Sequence, residues 1–513
     1  MTKSVIPASI LLLLTGAMLL SVLSCAGAPP EKPGAELPGP SSAIADAVPE
    51  PIPEPVPEPL PEPLPEPIPE TPPEQPPEPV PEPIPEAPSL ESVLAGIAEL
   101  LKNGDYGAAL EAFGGLKKED LESAPVQMLR ASVLVSAGRA KEAEPILKDL
   151  TQKDPQNTDL WYSLSGAQAA QGKDKEQKAS LERVVAIQGT HAPALAALGS
   201  IAFRSKITKL AESYYDKSLS SEPDNPEALI GKARTRRAND DPKGAEAALN
   251  RAIKAYPDWA LPRAERARIY REEGFLKEAL TDLNAAKALA GDDYWIAIDL
   301  GNVLMDMGKK KEALAEYDRA IALDPDIFLA YVYSAGLRDE MEDYPAAERD
   351  YRSLAKLKPE YYFAFEGLGV LMMRTGRWGE ARDAFLAAYA QAPRNAGYAL
   401  LASLNWMRAG KPADARPFLA KALTAIPRDT TEWYLLRLYH DQTGDTDLTL
   451  RIDKESNADD RSRMLFYLAQ YYDIRGNTAL ANKYFLQVQD MNRQSMLEWR
   501  LNQWVLQARI TKG

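Results

Sequence analysis

From residue 90 onward, apolar and polar positions recur with a period of 34 residues. Within residues 362–395, one apolar stripe is formed by Phe365, Leu368, Gly369 and Met372, and a second by Ala381, Phe385, Ala388 and Tyr389. Both stripes have the i, i+3, i+4, i+7 or i+8 spacing of an amphipathic helix. Gly376 falls between them, where a left-handed residue ends a helix. Pro393 follows the second stripe, where a helix cannot continue. The predicted unit is helix, tight turn, helix, loop.

Three lattices carry this unit along the chain. Pro155, Pro223, Pro257, Pro325, Pro359, Pro393 and Pro427 are separated by 34 or 68 residues. Gly104, Gly138, Gly172, Gly274, Gly308, Gly376, Gly410 and Gly444 keep the same period. So do Ala109, Ala143, Ala211, Ala245, Ala279, Ala313, Ala347, Ala381 and Ala415. A lone helix pair cannot bury both of its faces, so successive pairs must stack. Small residues at Gly199, Ala233, Ala267, Gly301, Ala335 and Gly369 are expected to let paired helices approach closely. Large residues at Phe113, Tyr215, Tyr317, Tyr351 and Phe385 are expected to fill the space to the next unit.

Residues 362–395 read Phe365-x2-Leu368-Gly369-x2-Met372, then Ala381-x3-Phe385, then Pro393. Residues 294–327 add Leu300-Gly301, Ala313-x3-Tyr317 and Pro325, and Trp161 and Trp433 hold the aromatic position that opens the pattern. This pattern resembles the tetratricopeptide repeat. The phase opens twelve units, eleven of them at 34-residue intervals from residue 90 to residue 430 and the last near residue 462. Residues 495–509 read as a capping helix. The resemblance implies an all-α, right-handed superhelical solenoid of about twelve tetratricopeptide helix pairs, spanning residues 89–494, with a capping helix and tail over 495–513. Departures from the pattern at Gln177, Thr449 and Asp453, and a shortened eleventh unit, mark places of looser packing.

The preceding residues are of another kind. A basic start, an apolar run from Val5 to Leu23 and then Ser24-Cys25-Ala26 describe a secretory signal over residues 1–24. Cys25 is the single cysteine of the chain, so no intrachain disulfide can form. Val22-Leu23-Ser24-Cys25 resembles the lipobox of a bacterial lipoprotein, with Leu23 departing from the usual residue type. That resemblance implies a lipidated Cys25 and, with Ala26 after it, sorting to the outer membrane. An uncleaved membrane anchor and a plain signal are the competing readings. Residues 25–48 are expected as the lipidated N-terminus and a flexible linker. Residues 49–88 are a Pro-Glu-rich spacer, with ten glutamates at every fourth position from Glu50 to Glu86 and no lysine or arginine. Proline excludes helix and sheet there, so the segment is expected as a disordered or polyproline II rod. At about 3.1 Å per residue it would reach on the order of 120 Å. It reads as a stalk, with a docking track for a proline-binding or cationic partner as the alternative.

The net charge of −14 follows the same division. The spacer holds −10 and residues 1–48 hold −1, which leaves −3 for residues 89–513. No basic excess exists to attract nucleic acid. The chain holds two histidines, His191 at a unit boundary and His440 at a packing position. No GxxxxGK[ST], GxSxG or HExxH motif occurs. The expectation is a protein that is not an enzyme and has no cofactor or metal. In the family resembled, first helices line a concave groove, through positions 2, 5, 9, 12 and 13 of each unit. The resemblance therefore implies Arg234, Arg237, Arg268 and Arg271 as a basic end of that groove. Trp295, Asn302, Asp306, Phe363, Met373 and Met407 would follow as its mixed and apolar part. Such a groove suits a partner helix or peptide. The family's carboxylate clamp is not formed, because Asn302 alone matches it. The resulting expectation is an interaction scaffold or assembly factor of the cell envelope, with other envelope proteins or peptides as partners. A surface-exposed adhesin or carbohydrate-binding lipoprotein is the alternative.

Overall fold

The computed structural model describes residues 89–510 apart from residue 394. The signal segment, Cys25 and the Pro-Glu spacer lie outside the described residues. Those described form α-helices in consecutive pairs, with no strand among them. Ten first helices begin at Leu90, Ala124, Thr158, Ala192, Pro226, Ala260, Tyr294, Phe328, Tyr362 and Ala396, the positions the 34-residue phase predicts. The final two pairs are Thr431–Asp441 with Asp445–Lys454, and Ala458–Ile474 with Thr478–Asp490. A last helix, Leu497–Ile510, follows them. The chain divides into two compact units at Thr235 and Arg236, inside the helix Pro226–Ala238.

The three lattices have three physical roles. The glycines between paired helices, from Gly104 to Gly444, all adopt a left-handed backbone. Lys206, Asp240 and Glu342 take the same place in three other turns and are forced to φ of 61°, 61° and 64°. The prolines act one step later. The helices Ala140–Lys153, Thr208–Ser221 and Trp378–Gln391 each stop two residues before Pro155, Pro223 and Pro393, because proline drives its predecessor out of the α region. Pro242, Pro345 and Pro412 instead open second helices, where the missing N–H costs nothing. Side chains of Asp105, Asp241, Asp293 and Asp343 accept from backbone N–H groups three residues on, at 2.9–3.4 Å. These bonds satisfy donors that a helix start leaves unpaired.

The alanines are the packing lattice, and all nine from Ala109 to Ala415 are buried. Against them stand the large residues. A Cβ added to Gly369 would fall 2.6 Å from the Phe385 ring, and one added to Gly199 would fall 2.6 Å from Tyr215. Tyr215 also presses on Gly231 of the next pair, so one ring joins two pairs. The core is accordingly a series of clusters. Those around Leu147, Leu181 and Tyr215 belong to the first unit, and those around Leu283, Tyr317 and the Leu368–Leu501 group belong to the second.

Two elements depart from the expected lengths. The second helix of the first pair ends at Ala112, where Phe113–Gly115 tightens into a 3-10 turn. Gly114 and Gly115 favour that early stop. The first helix of the last pair begins at Ala458, ahead of the expected residue 462, because Asn457 caps it by accepting from Asp459 and Asp460 N–H. The eleventh pair has short helices, as its missing residues imply.

Candidate functional site

The first helices place the residues expected to line a groove, and these fall into three groups. Asn302, Met373 and Met407 are buried. Asn302 accepts a hydrogen bond from the Tyr317 hydroxyl at 2.9 Å, and the two methionines pack with Leu368 and Leu404. This corrects the expectation of an apolar trough through these positions. Ile298, Leu400, Leu404 and Leu438 are buried as well. Helical spacing alone puts such side chains on a face, and stacking of the next pair then covers them.

The arginines form the second group. In the second unit, the Arg268 guanidinium donates to Asp299 and Glu265 at 2.8 and 2.9 Å. Arg237 lies 3.7 Å from both Glu265 and Glu272. Arg271 donates to Asp306 at 2.5 Å, so two residues expected as separate groove groups are partners of each other. Three of the four arginines expected as a basic end, Arg237, Arg268 and Arg271, are therefore paired with acids of their own or neighbouring helices. Arg234 in the first unit is half-buried, with its charge acting on the Tyr215 hydroxyl. The sequence signal for this ladder was available. Arg268 and Asp299 stand 31 residues apart, and Arg271 and Asp306 stand 35 apart, close to one repeat.

The third group is open to solvent. Phe363 is 47% exposed, and Trp295 is half-buried with its ring edge-on to Tyr294. Phe363 belongs to a chain of aromatic rings, 4.3 Å from Tyr362 and 5.5 Å from Tyr361 between centroids. It also lines a cleft of about 390 Å³. The walls come from both helices of pair eight, Phe328–Glu340 and Tyr344–Leu357, from the first helix of pair nine, Tyr362–Arg374, and from the last helix, Leu497–Ile510. Val332, Val370 and Trp504 supply apolar surface there, while Asp339, Glu366 and Arg500 supply charge.

The last helix was expected as a cap only. Its Leu497-x-x-Arg500-Leu501-x-x-Trp504 pattern turns one face to the cleft. Its other contacts hold it in place. The Asn502 amide donates to the Phe485 carbonyl at 3.0 Å, Arg509 pairs with Asp473, and the buried Glu498 lies 3.4 Å from Arg463. Burial pushes the Asp339 carboxyl up from its ordinary value, although Arg374 donates to it at 2.9 Å. Burial also raises the hydroxyl of Tyr351, on the cleft wall, and of Tyr398, which donates to Glu366 at 2.7 Å.

Both histidines are engaged at helix ends. His191 caps the helix Ala192–Arg204, with its Nδ1 accepting from the Ala194 N–H at 3.2 Å. His440 lies 2.7 Å from Asp441 at the end of its helix.

Comparison with known proteins follows the same repeats. Family models described as tetratricopeptide repeat match residues 97–158, 134–201, 202–269, 296–327, 335–396 and 374–430. Together these segments span more than half of the chain. A TPR repeat-containing protein of Pseudomonas aeruginosa is 36% identical over 105 residues, which is 20% of this chain and 17% of that protein. A tetratricopeptide repeat protein from Parabacteroides merdae is similar in structure, with 16% identity, 46% of this chain and 93% of that chain covered, and a TM-score of 0.39. PilW, a type IV pilus biogenesis factor, shows 17% identity over 40% of this chain and 94% of its own, with a TM-score of 0.37. These are partial likenesses in repeat architecture.

Proposed function

Because the chain belongs to the tetratricopeptide repeat family, we propose that it is a noncatalytic protein–protein interaction scaffold or assembly factor. Its tether in this reading is a lipid on Cys25, which holds it at the bacterial cell envelope, and the Pro-Glu spacer stands the repeats away from the membrane. Partners are envelope proteins or peptides that lie against the first helices. The observation that carries the reading is the cleft beside pairs eight and nine, where Phe363 stays exposed among mostly half-buried neighbours. An exposed aromatic ring beside a concave, mixed surface is the usual anchor of a protein contact. The order of segments supports the tether: an apolar run, one cysteine just after it, and a long acidic Pro-Glu segment before the repeats.

Two measurements test this. Proximity labelling from the repeats in living cells should mark a reproducible set of envelope proteins. A labelling pattern no different from that of an untethered, unrelated exported protein would refute the scaffold. Cys25→Ala should release the protein from the membrane fraction, and retention there would refute the lipid tether.

A further inference from the structure

We infer that the cleft beside the last helix binds a partner peptide segment that carries one arginine or lysine flanked by apolar residues. The inference rests on the scaffold reading and names what one of its sites takes. The cleft has two carboxylates, and they are not equally satisfied. Asp339 is bonded by Arg374 at 2.9 Å, and that guanidinium also lies over the Tyr344 ring at 5.2 Å, so this pair is closed. Glu366 is different. It accepts one hydrogen bond, from the Tyr398 hydroxyl, and its other oxygen has Arg500 no nearer than 3.9 Å. That distance is too long for a hydrogen bond. The Arg500 side chain is 60% exposed, so it is a loosely held cation at the mouth of the cleft.

Around Glu366 the wall is aromatic and aliphatic, with Phe363, Tyr361, Val370 and Trp504. A carboxylate set among rings favours a cation, because ring faces attract positive charge and a guanidinium can bond both carboxylate oxygens. The volume sets the size of the occupant. About 390 Å³ falls within the range of roughly 300–1,000 Å³ typical of small-ligand sites. It holds a cationic side chain and an apolar neighbour, but not a helix, which is about 10–12 Å across. The occupant is therefore a short extended segment. Arg500 stands in for its cation in the free protein and must swing aside when the segment enters.

This predicts a sign that packing alone would not produce. The probe is a fluorescein-labelled pentapeptide, capped at both ends, with arginine between leucine and tryptophan. It is titrated against the full chain by fluorescence anisotropy. A matched peptide with neutral citrulline replacing arginine should bind about tenfold more weakly, the size expected for one lost charge-assisted pair. Glu366→Gln, which keeps an acceptor for Tyr398, should weaken the arginine peptide by a similar factor and leave the citrulline peptide unchanged. Arg500→Ala should strengthen arginine-peptide binding, because the resident competitor is gone. Circular dichroism checks that both variants keep their helix content. Equal binding of the two peptides, no binding to any form, or weaker binding by Arg500→Ala overturns the assignment. None of those outcomes touches proximity labelling, so failure here is distinguishable from failure of the scaffold reading.

Discussion

Two glycines in first helices separate steric necessity from helix propensity. Gly369 faces Phe385, whose ring is fully buried, and a Cβ there would lie 2.6 Å from Cζ and 2.8 Å from Cε1 and Cε2. Gly336, one pair earlier, has nothing within 4 Å of the point a Cβ would occupy. Alanine at either site gains about 1 kcal/mol of helix propensity. At Gly336 that gain stands alone. At Gly369 the ring or backbone must retreat by roughly 1 Å to reach the 3.5–4.0 Å at which carbons rest. Overpacking of this kind costs about 1–3 kcal/mol. Since the propensity term is common to both, the difference between Gly369→Ala and Gly336→Ala isolates the steric term, near ~2 kcal/mol. Long repeat arrays need not unfold in one step, so the measurement should be local. Amide hydrogen exchange over Tyr362–Arg374 and Trp378–Gln391 should be about 30-fold faster in Gly369→Ala than in Gly336→Ala. A second substitution, Phe385→Leu, should recover part of the loss in the Gly369→Ala background only. Equal exchange in the two alanine variants would refute the close-packing argument.

Three further predictions concern charge and backbone. Glu144 is buried between Lys148, Lys173 and Gln171, and the hydrogen bonds from the two lysines hold its carboxyl down to about 2. A depressed carboxyl adds stability above its unfolded value and loses it as pH falls through the folded one, so on the order of 2 kcal/mol should vanish between about pH 4.5 and pH 2. Hydrogen exchange of Ala140–Lys153 should show that loss, and Glu144→Gln should flatten it. Arg268→Glu would set a third carboxylate against the buried Glu265 and the nearby Asp299 and should cost about 3 kcal/mol or more, read by urea unfolding of the second unit. Arg271→Glu breaks a far more exposed pair and should cost under about 1 kcal/mol by the same assay. Equal losses would show that burial does not distinguish the two arginines. Finally, Glu342→Gly should raise thermal stability by about 0.5–1 kcal/mol, since φ of 64° strains a residue with a Cβ. A fall in the melting temperature would mean that the Glu342 side chain does more than occupy a turn.

The repeat was legible because its requirements are local. A left-handed turn needs glycine, a stop needs proline, and close helix approach needs a small residue, so each leaves a letter at a fixed phase. Pairs that the lattice defines accordingly start where it places them, and Gly114 and Gly115 are the sort of letters that shorten one helix. The groove was legible only as a face. Asn302, Met373 and Met407 carry the right phase, yet Tyr317 and the neighbouring pairs cover them. The arginines carry the right charge, yet Asp299 and Asp306 come from the following pair to neutralise it.

The chain's letters alone determined the helix pairs, their register, their turns and the packing of alanine against large rings, because those depend on residues within one pair and its neighbour. Tertiary structure decided which surface remains open. Residues 497–504 come back against pairs begun at 328 and 362, and it is their arrival that leaves Phe363 and Glu366 facing a cleft. Exposure is a property of what lies opposite, and a periodic sequence does not encode its opposite side.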